Sequence, residues 1–233
     1  MTPASQDVSE AVSILAVDDD LAQAVPPDER ETAASELKLP AVALEPGPVA
    51  IDELGLPDST LALLIVDGDL TNDIALDGHA LTEMLAPGDI IPPWEPDLGD
   101  LEVRRSIVAK TPVTLAVLDE TFVRASARWP GLQVAIHRRL ADQEHRFAAQ
   151  GAICQMPRVE DRIVAMLRHM ATRDGRMVPG GRALRVQLTH EALGRLVGAR
   201  RPTVTLAIKQ LEADGRLSRR PDGTWLLPCP GPQ

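Results

Sequence analysis

Residues 187–227, QLTHEALGRLVGARRPTVTLAIKQLEADGRLSRRPDGTWLL, constrain the fold more than any other part of the chain. Their spacing predicts two short helices across a tight turn, followed by a two-stranded wing. Thr189 has the hydroxyl that an N-cap needs to accept from the free amides of a first turn. Leu193, Leu196 and Val197 recur at helical spacing and give the first helix one apolar face. Gly194 is small where a second helix must cross closely. Gly198 follows the last apolar position and suits the left-handed conformation that ends a helix. Pro202 falls at the first turn of the next helix, where a missing N–H costs nothing. Val204, Ala207, Ile208 and Leu211 form that helix's buried stripe. Arg201, Thr205 and Lys209 lie four residues apart on another face. Arg200 and Thr203 stand at the helix start, where the helix dipole favours phosphate. Asp214-Gly215 closes the helix. Residues 217–220 and 224–227 read as strands around the turn Pro221-Asp222-Gly223.

The pattern L-T-H-E-x-L-G-x-L-V-G-A-R-R-P-T-V followed by K-x-L-E-x-D-G-x-L resembles the C-terminal DNA-binding domain of the Crp/Fnr transcription regulators. That resemblance implies that the second helix enters the major groove of duplex DNA. It makes Thr189, Arg200, Arg201, Thr203, Thr205, Lys209, Arg219 and Arg220 the candidate DNA-binding residues. Arg201 is the candidate for a bidentate guanine contact, while the wing arginines Arg219 and Arg220 would serve phosphates. In enteric members of the family an acid follows the residue matching Arg201, and an arginine comes four further on. Here Pro202 and Leu206 stand there, so a different operator is expected.

Charge supports the same assignment. The chain's formal charge of −10 hides an asymmetry: residues 151–233 hold 14 Lys and Arg against 7 Asp and Glu, net +7, and the remaining 10 bases and 27 acids leave −17. A basic lobe on an acidic body suits nucleic-acid binding. Aromatic residues are few (Phe122, Phe147, Trp94, Trp129, Trp225), which disfavours the stacking platforms of single-strand and RNA binders. No apolar run is long enough to span a bilayer, and acids occupy the N-terminus where a secretory signal carries bases, so a cytoplasmic protein without a membrane role is expected. Cys154 and Cys229 cannot supply the four thiolates of an iron–sulfur cluster.

Taken in order, residues 1–38 read as an acidic, loosely packed arm, parts of which form short helices, as around Asp28 to Leu37. Residues 39–120 show short strands with turn signals: the apolar run Leu61 to Val66, then Leu70 to Leu76, the Asp77-Gly78 turn, His79 to Leu85, Pro87-Gly88-Asp89, Ser106 to Ala109 and Val113 to Leu118. That rhythm predicts an antiparallel sandwich or jelly roll. Residues 121–157 turn helical, with a short helix stopped at Trp129-Pro130 and a long one carrying Leu132, Ile136, Leu140 and Phe147 to a hinge at Met156-Pro157. Residues 158–228 form the winged helix-turn-helix, opened by an amphipathic helix over 159–170 with Ile163, Met166, Leu167 and Met170 inward. A short strand over 184–188 leads into Thr189, and a Pro-rich disordered tail follows at 229–233. The fold class expected is α+β: jelly roll, long dimerisation helix, winged helix-turn-helix.

The sheet region also resembles the cyclic-nucleotide-binding-like jelly roll of the Crp/Fnr family, through Gly68, the Leu85-Ala86-Pro87-Gly88-Asp89 turn and the strand from Ala109 to Asp119. The resemblance implies that the long helix is a dimer seam and that two copies read a palindromic operator. The family's phosphate-binding cassette is degenerate here. Its place reads Ile91-Pro92-Pro93-Trp94-Glu95-Pro96-Asp97, where three prolines remove amide donors and the acids Glu95, Asp97, Asp100 and Glu102 repel phosphate. Arg104 and Arg105 start a strand, so no ligand residue carries over, and any effector is something other than a cyclic nucleotide. His79, His137, His145, His169 and His190 read as surface residues. Only His79 lies in the sheet, so no metal-ligand cluster forms there. No catalytic motif stands out and no cofactor is implied. The partners expected are double-stranded DNA and a second copy of the chain, with RNA polymerase as a further candidate. A second class stays open: a sensor or scaffold that binds a partner through the jelly roll without reading DNA.

Overall fold

A computed structural model of the chain describes residues 8–77, 79–95, 99–186 and 188–228. The parts of the expected features that fall on residues 1–7 of the N-terminal arm, Gly78, Pro96, Asp97, Gln187, Cys229 and the 229–233 tail lie outside the described residues. The described residues form two compact units, 8–77 with 83–144 and 79–82 with 145–228.

In the first unit, strand β1 (Val8–Ser13) leads through helices α1 (Ile14–Val17), α2 (Asp19–Gln23) and α3 (Arg30–Glu36) to β2 (Lys38–Leu44). Seven strands follow: β3 (Gly47–Val49), β4 (Thr60–Asp67), β5 (Leu70–Leu76), β6 (His79–Leu85), β7 (Ile90–Ile91), β8 (Val103–Ala109) and β9 (Val113–Asp119). They make a five-stranded sheet in the order β1-β2-β9-β4-β7 and a four-stranded sheet in the order β3-β8-β5-β6. Every pairing described is antiparallel.

The apolar runs of β4 and β9 are continuous because the five-stranded sheet is buried on both faces. Leu63, Ile65, Val113, Leu115 and Val117 pack with Leu70, Leu85 and Ile107 of the second sheet. Their neighbours Leu64, Ala116 and Leu118 point the other way, into a layer made by Ile14, Leu21, Val25, Ala33, Leu37, Trp129 and Leu132. That second layer corrects the reading of residues 1–38 as a loose arm: Ile14, Leu21, Ala33 and Leu37 are wholly buried. The acids there are structural as well. Asp18 caps α2 by accepting from the Leu21 amide at 3.0 Å, and it pairs with Arg139 at 2.6 Å.

Helix α4 (Glu120–Ser126) precedes the long helix α5 (Pro130–Cys154). Pro130 is the first residue of α5 rather than a stop, in keeping with its preset φ. The stripe Leu132–Ile136 faces its own sandwich: Leu132 is fully buried in the outer layer and Ile136 packs against that layer. The opposite row, Val134, Arg138, Ala141, His145, Ala148 and Ala152, is exposed.

The second unit contains α6 (Val159–Asp174), β10 (Gly175–Val178), β11 (Gly181–Leu184), α7 (His190–Val197), α8 (Arg201–Ala213), β12 (Ser218–Arg219) and β13 (Trp225–Pro228). Its sheet has four strands in the order β10-β11-β13-β12, not the two of a bare wing. The strand expected over 184–188 is instead the hairpin β10–β11, which pairs onto β13. Pro179-Gly180 explains it: proline presets the first central turn residue, and Gly180 takes φ +92° at the second. Ile163, Met166 and Leu167 of α6 are buried beneath α7 and α8, while Met170 is half-buried.

Candidate nucleic-acid interface

Helices α7 and α8 are placed by local chemistry that leaves one face of α8 open. The Thr189 hydroxyl accepts from the Ala192 amide at 3.1 Å and starts α7. Gly198 ends it at φ +62°, a conformation costly for a residue with a Cβ. A Cβ on Gly194 would stand 2.5 Å from the Ala199 carbonyl oxygen, so the turn needs glycine there. Arg162 of α6 then locks the corner. Its guanidinium donates to the carbonyls of Met156 at 2.7 Å, Val197 at 3.1 Å and Gly198 at 3.2 Å. Those acceptors include orphan carbonyls at the end of α7.

On α8, Val204, Ala207, Ile208 and Leu211 are buried as expected. Arg200 stands at the N-cap, and Pro202 follows Arg201 in the first turn. Arg200, Arg201, Thr203 and Lys209 are exposed. Among the described residues no hydrogen bond or ion pair engages the Arg200, Arg201 or Lys209 side chains. Thr205 departs from the expected outward row. It is half-buried, its hydroxyl donates to the Arg201 carbonyl at 3.0 Å, and it lies 2.9 Å from Nδ1 of His190. With its one proton on that carbonyl, the hydroxyl accepts from His190 Nδ1–H. His190 is therefore not a plain surface residue but a buttress at the start of α7. Sequence spacing did not reveal it, because the two residues belong to different helices.

In the wing, Arg219 and Arg220 are exposed. The Arg219 guanidinium lies over the Trp225 ring of the paired strand, 4.9 Å from its centroid. The turn between β12 and β13 is set by Asp222, whose carboxylate accepts from the Thr224 amide at 2.9 Å. That bond pulls the Asp222 pKa below the usual carboxylate range. The open side of α8 therefore carries three cations, Arg200, Arg201 and Lys209, that no carboxylate within the described residues pairs, and the wing adds Arg219 over Trp225 and Arg220 beside Asp222.

The interior of the first unit differs. Arg105 lies on β8, as expected, and its donors are spent on its own chain: Asn72 Oδ1 at 3.0 Å and the carbonyls of Pro92 at 3.0 Å and Trp94 at 3.3 Å. Burial lowers its pKa, against the opposing pull of Glu95 and Glu83. Gln143 of α5 accepts from the Ile90 amide at 2.9 Å and donates to the Ile90 carbonyl at 3.1 Å, next to that segment. Among the described residues no three His, Cys, Asp or Glu side chains gather as metal ligands.

Residues 161–227 match the model of the Crp-like helix-turn-helix domain. Over most of its length the chain shares the fold of several solved structures. A mutant of CooA from Carboxydothermus hydrogenoformans is 17% identical, with 96% of this chain and 93% of that one covered and a TM-score of 0.66. A cyclic nucleotide-binding domain containing protein from Listeria monocytogenes is 13% identical over 80% of this chain and 87% of its own, with a TM-score of 0.65. A CRP-family transcriptional regulator from Thermus thermophilus is 19% identical over 80% and 91%, with a TM-score of 0.55. No curated protein matches the chain. The chain thus carries a Crp-like helix-turn-helix domain at residues 161–227 and, over most of its length, shares the fold of these structures.

Proposed function

We propose that the protein is a homodimeric, sequence-specific regulator of transcription that acts in the cytoplasm on double-stranded DNA and catalyses no reaction. One observation carries this reading: the unneutralised cationic face of α8 coincides with the Crp-like helix-turn-helix domain. Two copies would present two α8 helices to successive major grooves about 34 Å apart and read a palindromic operator. Arg201 would take a guanine through two hydrogen bonds, while Arg200, Lys209, Arg219 and Arg220 would neutralise phosphates. Thr203 adds a hydroxyl at the helix start. Thr189 serves as the cap that orients α7, and Thr205 acts through its contact with His190. Residues 8–38 belong with the jelly roll, residues 121–157 link the two parts, and 158–228 are the reading head, with RNA polymerase a further partner. The commitment of Arg105 to Pro92 and Trp94 supports an effector other than a cyclic nucleotide.

The test is selection of duplexes from a random-sequence pool by the full chain, followed by footprinting. The expected result is a palindromic protected site whose affinity falls steeply with salt. Failure to enrich any sequence at low salt would overturn the reading.

A further inference from the structure

Leu206 is the most exposed of the large hydrophobic side chains among the described residues, at 69%. It lies at the middle of α8, and the core does not need it, since Val204, Ala207, Ile208 and Leu211 already fill the buried stripe. In a helix, positions i, i+4 and i+7 share a face. Pro202, Leu206 and Lys209 therefore form the ridge directly opposite the buried stripe, with Arg201 at its flank. At the centre of that ridge stands an aliphatic side chain one turn from Lys209 and from Gln210, whose amide already donates to Asp214 at 2.8 Å.

We infer that Leu206 is a specificity-determining residue that packs on the 5-methyl group of a thymine in each operator half-site. The surroundings select this occupant. An apolar side chain on an exposed helix face, with Lys209 beside it and Arg200 and Arg201 exposed at the helix start, is complementary to a surface with anionic walls and an apolar floor. The major groove of B-form DNA offers that, because thymine puts its methyl group between two phosphate backbones. Pro202, one turn earlier, offers no side-chain hydrogen bond, so the ridge reads shape and methyl groups where an acid and an arginine would read donors and acceptors. This inference rests on the proposed DNA-binding function and adds the base that α8 recognises.

The experiment uses the full chain and the duplex it selects from a random pool. Each thymine of that duplex is replaced in turn by deoxyuridine, which removes the methyl and nothing else. One thymine per half-site should weaken binding about fourfold when replaced, and about fifteenfold when replaced in both half-sites, the loss of one buried methyl at each. Leu206→Ala should bind the unmodified duplex more weakly and lose this sensitivity to uridine. An operator without thymine in its half-sites, uridine substitution without effect at every position, or equal sensitivity in Leu206→Ala would each overturn the inference while leaving DNA binding intact. A chain that enriches no duplex would overturn it together with the proposed function.

Discussion

Single side chains hold the reading head together, and they do so through backbone carbonyls. Arg162 donates to three of them across the hinge and the end of α7. Arg162→Ala should cost about 2–3 kcal/mol of stability, since charge-assisted bonds are lost and carbonyls are left unsatisfied. Arg162→Lys should recover little, because a point charge cannot reach three acceptors in a fork. Thermal unfolding of the two variants would measure this. His169 sets a pH dependence. Burial is the main cause of its lowered pKa, and the charge of Arg146 adds to it, against a hydrogen bond to the Arg146 backbone. A histidine whose native pKa is depressed binds its proton more readily once the chain unfolds. Stability contributed by neutral His169 is therefore present above pH about 6.5 and declines as the pH falls toward the native value. His169→Gln should flatten the melting-temperature profile between pH about 5 and 7, and an unchanged slope would refute the assignment.

At the level of elements, α7, α8 and the wing turn were legible because each boundary carries its own chemistry: Thr189 as cap, Gly198 at positive φ, Pro202 in the first turn. The predicted consequence is strict. Gly194→Ala should destabilise the domain by about 1–3 kcal/mol, because the new methyl meets the Ala199 carbonyl oxygen at 2.5 Å and the turn must open. Denaturant titration would read it, with reduced DNA affinity as the functional echo. A helix around Asp28 to Leu37 was legible and appears as α3, but the burial of the N-terminal helices was not, for a contrasting reason. Their apolar positions, Ile14, Leu21, Val25, Ala33 and Leu37, are spread among acids over short helices, so no window shows a period. Their burial is decided by the outer face of a sheet that is distant in sequence. The β10–β11 hairpin was missed similarly, since four-residue strands such as GRMV and GRAL carry no alternation, and only Pro179-Gly180 marks the turn. The Thr205–His190 contact lies between elements and leaves no spacing in the sequence.

On the scale of the whole molecule, the proposed reading of a palindrome requires a second copy, and α5 offers a face that would receive it. The helix uses Leu132 and Ile136 against its own sandwich, so those residues are unavailable to a partner. The opposite row, Val134, Arg138, Ala141, His145, Ala148 and Ala152, is exposed and repeats at alternating three- and four-residue steps. That is the spacing of a two-helix seam, and its alanines would let the helices approach closely. A glutamate at Ala141 in each copy would set two carboxylates against each other at that seam. Ala141→Glu lies on an exposed helical position, so each chain should keep its fold, with an intrinsic stability changed by no more than about 0.5 kcal/mol. Sedimentation should nevertheless show monomers. Operator affinity should fall by orders of magnitude, because one reading head then binds without its partner. Residual binding to a single half-site should keep its dependence on Arg201. A variant that stays dimeric would move the seam away from α5, and a monomeric variant that retains full operator affinity would remove the requirement for a dimer.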